Sequence, residues 1–243
     1  MCYSIEQVKS KIEKMIVRGY LSHSDFNNMP NAWVLKGFMF PSVQVITNEK
    51  PLAAKELTWG LIPNWANSDN AFDIRKVTLN AKAETLLEKA SFKKLVGKKH
   101  CLIPVSGFYE WRLFNKSKYP HYIFMKNNEP FMLAGLWDTW IEPKTLRAYN
   151  TFTILTCEAN KLMKEIHNEK KRMPVIINPK DEEKWLNATD YQTINELCVP
   201  YDDSKMEAHT IDKTIIMDKY GYNVPDVNKK VIYPELSQKG LFD

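Results

Sequence analysis

The second residue of this sequence, Cys2, has chemistry that no internal cysteine offers. Once Met1 is removed, Cys2 carries a free α-amine and a thiol on neighbouring carbons. An aldehyde meeting that pair forms an imine with the amine, and the thiol then closes a five-membered thiazolidine ring. An α-amine titrates at about 7.7–8.0 and a lysine at about 10.4, so near neutrality the α-amine is unprotonated roughly a few hundredfold more often. With Met1 retained, the nitrogen of Cys2 is an amide whose lone pair is delocalised into the carbonyl, and it cannot attack. Cysteine is small enough for ordinary methionine removal, so the working chain is expected to begin at Cys2. A form that keeps Met1 is expected to be silent, with Met1 in or near the cleft meant for the aldehyde.

Three further residues could serve such a reaction. Glu110 lies in the run Gly-Phe-Tyr-Glu-Trp, where flanking rings would desolvate its carboxyl and raise its pKa toward neutrality, as a proton carrier requires. The alternative is a strand glutamate facing water. His167 follows LMKEI and titrates where the chemistry operates, although a lone helical histidine is often structural. Asn80 opens the segment NAKAET, where it suits a helix N-cap, and a helix N-terminus also attracts phosphate. Trp59 and Trp65 bracket the turn Leu61–Asn64, and each could either pack a core or stack on a nucleic-acid base. Lys93, Lys94, Lys98, Lys99 and Arg172 could meet phosphates or simply form a solvated face.

Met-Cys at the start, WGLIPNW, NAKAET, GFYEW and a histidine upstream of RMP occur here in that order. Together they resemble the SRAP family, the SOS-response-associated peptidase-like proteins understood as abasic-site sensors, with the resemblance strongest over about residues 1–215. It implies that Cys2 captures the aldehyde of a ring-opened abasic deoxyribose in single-stranded DNA. Glu110 would then act as acid and base, and His167 would protonate the sugar ring oxygen. Asn80 would orient the amine and the sugar, Lys82 would contact the backbone, and Glu84 would hold the segment. No cofactor is implied. Departures are also present. The family often opens Met-Cys-Gly-Arg, but this chain opens Met-Cys-Tyr-Ser. Lys82 stands where an arginine is usual, which keeps the charge but loses the bidentate fork. Four residues separate His167 from Arg172, a longer gap than in many members.

These residues need elements to position them. Ile5, Val8, Ile12 and Met15 fall at helical spacing, which predicts a helix from Ile5 to Tyr20 loosened by Gly19. Asn80–Val96 and Glu158–Lys170 read as further helices. Alternating apolar runs from Trp33 to Pro63 and from His100 to Cys157 predict successive strands, with another at VIIN after Pro174. Short helices are expected around Glu182–Leu186 and Tyr191–Leu197, before a polar tail. With no repeat or linker in view, the reading is a single α+β domain over residues 1–243, with a largely antiparallel β core flanked by helices.

Composition narrows the classes. The 243 residues carry a net charge of +5, mildly basic and compatible with a polyanion without demanding one. Cys2, Cys101, Cys157 and Cys198 form no C-x-x-C pair, and no histidine stands at zinc-finger spacing, so no metal site is expected. The opening residues are charged rather than a secretory leader, and apolar runs are too short to span a bilayer. A monomeric cytoplasmic protein with reduced thiols follows as the expectation. His23, His100, His121 and His209 match no motif. The leading function is abasic-site crosslinking and release, with lyase and cysteine-peptidase activities as accompanying expectations. A cysteine (auto)peptidase using Cys2 and His167, and a non-covalent single-strand binder, are the alternatives.

Overall fold

The computed structural model describes residues 2–17, 19, 22, 29, 31–51 and 53–237. Two sheets share one apolar core. The first orders its strands as β2 (Ala32–Lys36), β1 (Ser4–Gln7), β7 (Gly107–Phe114), β8 (Ser117–Met125) and β13 (Met206–Thr210), reading from the edge beside β1. Every neighbouring pair in it is antiparallel. The second runs through β4 (Ala54–Trp59), β3 (Ser42–Thr47), β6 (His100–Val105), β9 (Phe131–Ile141) and β10 (Ala148–Glu158). Because β10 pairs with both β9 and β4, this sheet closes on itself as a barrel. β5 (Asn80–Lys82) and β11 (Arg172–Pro174) extend β10, and β12 (Ile176–Ile177) extends β9. Parallel pairing is confined to β10 with β4 and β5 among the described strands, so the α+β, mainly antiparallel expectation holds.

Local chemistry explains the joints. β7 and β8 are joined by Asn115 and Lys116, both at positive φ (45° and 64°), the backbone of a two-residue hairpin turn. Gly107 opens the GFYEW strand because a Cβ there would sit 2.3 Å from the ring of Tyr122 on β8. The main core draws Ile5, Phe108 and Ile123 from the first sheet and Val45, Leu102, Trp137 and Phe152 from the second. A smaller cluster of Val34, Tyr109, Tyr122, Ile211, Ile216 and Val227 anchors the C-terminal segment.

Several expectations need correction. Ser4–Gln7 is a strand, not the start of a helix, and among the described residues of this stretch helix occurs only at Lys9–Ile12 and Lys14–Val17. All four residues of β1 are buried between two neighbouring strands, so the sequence shows no alternation to betray it. Residues 18 and 20, where that helix was expected to end, and Met1, expected in the cleft, lie outside the described residues.

Asn80 is likewise not an N-cap. It begins β5, which leads into a single 3-10 turn at Ala83–Thr85 and then a run of turns through residue 98. Docking of β5 against β10 overrides the local helical pattern, and with it goes the helix N-terminus expected to attract phosphate. The Glu158–Lys170 helix contracts to Lys161–Ile166, because Glu158 completes β10 and Asn160 caps the helix through the Met163 amide at 2.9 Å. Trp59 is fully buried and its indole N–H donates to the Leu79 carbonyl at 2.8 Å, so no base can stack on it. The tail is more ordered than expected: β13 completes the first sheet, and Lys213–Met217 is helical. Ala71–Val77 is a further helix that the sequence reading missed.

Candidate active site

Four separate stretches of chain converge where β1, β7 and β5 meet the turn after the Lys161–Ile166 helix. Cys2 precedes β1, whose Ser4 pairs with Tyr109, and Glu110 follows Tyr109 on β7. From the other sheet, the Asn80 side-chain amide donates to the Cys2 carbonyl at 2.9 Å. The Asn80 Oδ1 is buried and accepts no hydrogen bond among the described residues. The Cys2 thiol is fully buried and reaches the Ser4 carbonyl at 3.8 Å. Burial pushes this thiol far above its ordinary range, and the nearby Glu110 charge adds to the shift.

His167 approaches from the helix end. Its Nδ1 lies 2.8 Å from the Arg172 carbonyl, and a carbonyl can only accept, so Nδ1 carries the proton. Nε2 then presents a lone pair toward Glu110, whose Oε2 lies 4.0 Å away. Burial lowers the imidazole below its ordinary range and keeps it neutral. Burial also raises the Glu110 carboxyl from 4.5 to about 7. A carboxyl raised to about 7 thus faces a neutral imidazole across 4.0 Å.

The longer gap between His167 and Arg172 has a structural solution. Asn168 pairs with the backbone of Leu113 on β7, accepting from its N–H at 3.0 Å and donating to its carbonyl at 2.8 Å. Lys171 adopts a positive φ of 51° and donates its N–H to the His167 carbonyl at 2.8 Å. Asn168 thus fixes His167 against the strand that carries Glu110. Sequence reasoning missed it, since only the fold brings residue 168 to residue 113.

A cleft of about 270 Å³ opens beside this pair, lined by Tyr3, Glu110, Trp111, Lys118, His167 and Lys170. Its cations are Lys118, ion-paired to Glu169 at 2.8 Å, and Lys170, neither of them singled out from the sequence. The signal for Lys118 was the hairpin register that sets it opposite Leu113. Tyr3 packs its ring on Phe38, which is exposed.

The expected DNA contacts divide. Arg172 forms a two-pronged ion pair with Glu84 at 2.6 and 2.8 Å and also donates to the Thr156 carbonyl, so its role here is structural. Lys82 is exposed at the end of β5. Trp65 is 45% exposed, and its indole N–H reaches the Ala90 carbonyl at 3.2 Å, close in sequence to the exposed Lys93 and Lys94. Lys98 is exposed, and Lys99 is ion-paired with Glu49. Among the described residues no group of three or more His, Cys, Asp or Glu could hold a metal ion.

The family model described as SOS response associated peptidase (SRAP) matches residues 3–217. The chain belongs to the SRAP family. Abasic site processing protein YoqW of Bacillus subtilis is 42% identical over 163 residues, 66% of this chain and 70% of its own length. YoaM of the same organism, also called an abasic site processing protein, is 38% identical over 74% of this SRAP chain and 82% of its own. A crystal structure of a Bacteroides thetaiotaomicron protein superposes with a TM-score of 0.87 at 32% identity, covering 95% of this chain and all of that one. Past the matched residues, this SRAP chain continues into a segment that packs on β2: the Asn223 side chain accepts from the Trp33 and Val34 amides at 2.7 and 3.1 Å.

Proposed function

We propose that this SRAP chain recognises abasic sites in single-stranded DNA and, with Met1 removed, joins itself to them reversibly through Cys2. The observation that carries the reading is the pairing of Glu110 with His167 at 4.0 Å, beside a cysteine whose carbonyl Asn80 holds from the opposite sheet. The names of the curated relatives as abasic site processing proteins point the same way. The chain acts as a monomer, in the cytoplasm.

As the deoxyribose opens to its aldehyde, Glu110 gives its proton to the sugar ring oxygen, and the neutral His167 Nε2 takes the proton of the anomeric hydroxyl and returns it to the Glu110 carboxylate. The α-amine of Cys2, oriented by the buried Asn80 Oδ1, adds to the carbonyl carbon and gives a carbinolamine. Proton transfer from Glu110 lets water leave, and an iminium ion that keeps one N–H remains. The thiol sulfur then bonds to the iminium carbon, its proton passes to the Glu110 carboxylate, and the nitrogen, now neutral, is the ring N–H. Aldehyde and aminothiol become thiazolidine and water. Because the same carboxyl moves the proton in each direction, ring reopening uses the same groups.

A peptidase would need a ready thiolate, and reactive cysteines sit where their pKa is depressed. The raised thiol of Cys2 is poorly suited to that role and compatible with addition to an imine, where the proton leaves during attack.

The test is a labelled abasic oligonucleotide followed by a denaturing gel. The parent chain, with Met1 shown by mass spectrometry to be absent, should give a heat-stable band. Cys2→Ala should lose it completely. A heat-stable band from Cys2→Ala, or from chain that retains Met1, would rule out the thiazolidine. Peptide cleavage without transfer would favour the peptidase, and signal lost on denaturation a non-covalent binder.

A further inference from the structure

A second pocket, of about 410 Å³, lies beyond the active site along the same β7–β8 hairpin. It is lined by Arg112 of β7, His121 of β8, His209 and Thr210 of β13, and Lys230 and Tyr233 of the C-terminal segment. Among the described residues that line it there is no carboxylate. The nearby Glu235 is engaged by the Tyr119 hydroxyl at 2.9 Å. Its volume falls in the range of about 300–1,000 Å³ typical of small-molecule sites.

Arg112 is the telling residue. It is half-buried, its Nε is buried without a hydrogen-bond partner, as are those of Arg75 and Arg172, and unlike Arg172 it meets no ion pair among the described residues. Arg172, by contrast, is neutralised by Glu84 through two short contacts. A desolvated guanidinium without a counter-charge is costly, and an anion is the group that removes the cost. The two histidines are also arranged for one. His121 is buried and donates through Nδ1 to the Tyr119 carbonyl at 3.0 Å, and His209 donates through Nε2 to the Asn228 carbonyl at 2.8 Å. Each ring keeps one further nitrogen, which becomes a donor on protonation. Burial, with Arg112 and His209 adding repulsion, pushes His121 down to about 4.

We propose that this pocket is a phosphate-binding site, with Arg112 and Lys230 as its charged donors, beside the Thr210 and Tyr233 hydroxyls, whose own protons go to the Val231 and Ile211 carbonyls. The phosphate comes either from a phosphodiester of the bound DNA strand or from a free phosphorylated small molecule. The first source has geometry behind it. Arg112 stands two residues after Glu110, about 7 Å along the strand, and His121 is the cross-strand partner of Glu110. That source rests on the function proposed above, whereas the phosphate site itself does not.

The experiment is histidine-selective NMR of the full chain titrated with inorganic phosphate at constant ionic strength. His121 and His209 should shift saturably. Arg112→Gln should weaken the affinity at least about tenfold, the loss expected for one charge-assisted hydrogen bond. Lys230→Gln, at an exposed position, should weaken it in the same direction. Absence of a saturable shift, or unchanged affinity in Lys230→Gln and in a folded Arg112→Gln, overturns the site. An undamaged single-stranded oligonucleotide that displaces phosphate identifies the DNA source, and failure to displace it identifies a free phosphate compound. Abasic crosslinking run in parallel separates the two readings, since phosphate can bind in a chain that never crosslinks.

Discussion

Two glutamates are buried in the first sheet, and their surroundings could hardly differ more. Glu6, on β1, has no exposed surface. Its Oε2 accepts from the Ser106 and Tyr122 hydroxyls, each at 2.6 Å, and from the Lys11 ammonium at 2.9 Å, while Oε1 accepts from the Asn228 amide at 2.7 Å. Glu110, on the neighbouring β7, is 3% exposed, faces a neutral histidine and borders a cleft. Three neutral donors and a cation hold Glu6 in one place. Glu110 is instead raised by burial to about 7, where its carboxyl can take or return a proton. Burial alone does not mark a working carboxylate; the company it keeps does. Glu6 also supports the site indirectly, because it ties β1, the strand that begins two residues after Cys2, to β7, β8 and the C-terminal segment.

The contrast is broken most sharply by exchanging charge for amide. Glu110→Gln should slow both formation and reversal of the crosslink by about 10²–10⁴-fold, the usual contribution of a positioned acid–base group, with the fold intact. Time courses on abasic oligonucleotide would measure it, and parental rates in both directions would remove Glu110 from the chemistry. Glu6→Ala should do the reverse. It strips the buried Ser106 and Tyr122 hydroxyls of their acceptor, at about 1–3 kcal/mol for each group left unsatisfied, so denaturant unfolding should reveal a large loss of stability. Crosslinking by the molecules that remain folded should fall far less. A Glu6→Ala chain as stable as the parent would mean the network does not hold β1.

A smaller effect sharpens the comparison through pH. Folding raises the Glu110 pKa from 4.5 to about 7, so between those values the unfolded chain has already released the proton that the folded chain keeps. The unfolded state therefore binds fewer protons there, and this group's contribution to stability declines as pH rises through that window, then stays flat above it. At about 1.4 kcal/mol per unit, the decline is at most about 3 kcal/mol. Glu110→Gln should remove it, so the variant gains on the parent progressively from pH 4.5 to 7. Unfolding curves at several pH values test this, and a variant–parent difference independent of pH would show that Glu110 titrates normally.

Much of the chemistry was legible before any fold was known. A cysteine at position two, a glutamate among rings and a histidine before Arg-Met-Pro are chemical statements made by residue type, and the structure brings them within reach of one another. The β6–β10 strands were equally readable, because long alternating or continuous apolar runs leave few other conformations. Local pattern failed where tertiary pairing decided. Ser4–Gln7 and Asn80–Lys82 carry helical spacing or a capping residue, yet become strands because β2, β7 and β10 offer them backbone partners. The two tryptophans of WGLIPNW look alike in sequence. Only packing buries Trp59 under the Leu79 carbonyl and leaves Trp65 near the surface.

By itself, then, the sequence determined which functional groups the protein owns and the regular strands that carry several of them. Tertiary structure decided which of those groups share a dielectric environment. It set Glu110 opposite His167 and gave Arg172 to Glu84. It left Arg112 in a pocket without a carboxylate among the described residues. The physical reason is that pKa, pairing and access depend on distances between residues far apart in the chain, such as Asn168 and Leu113 or Asn80 and Cys2, and no local pattern encodes those distances.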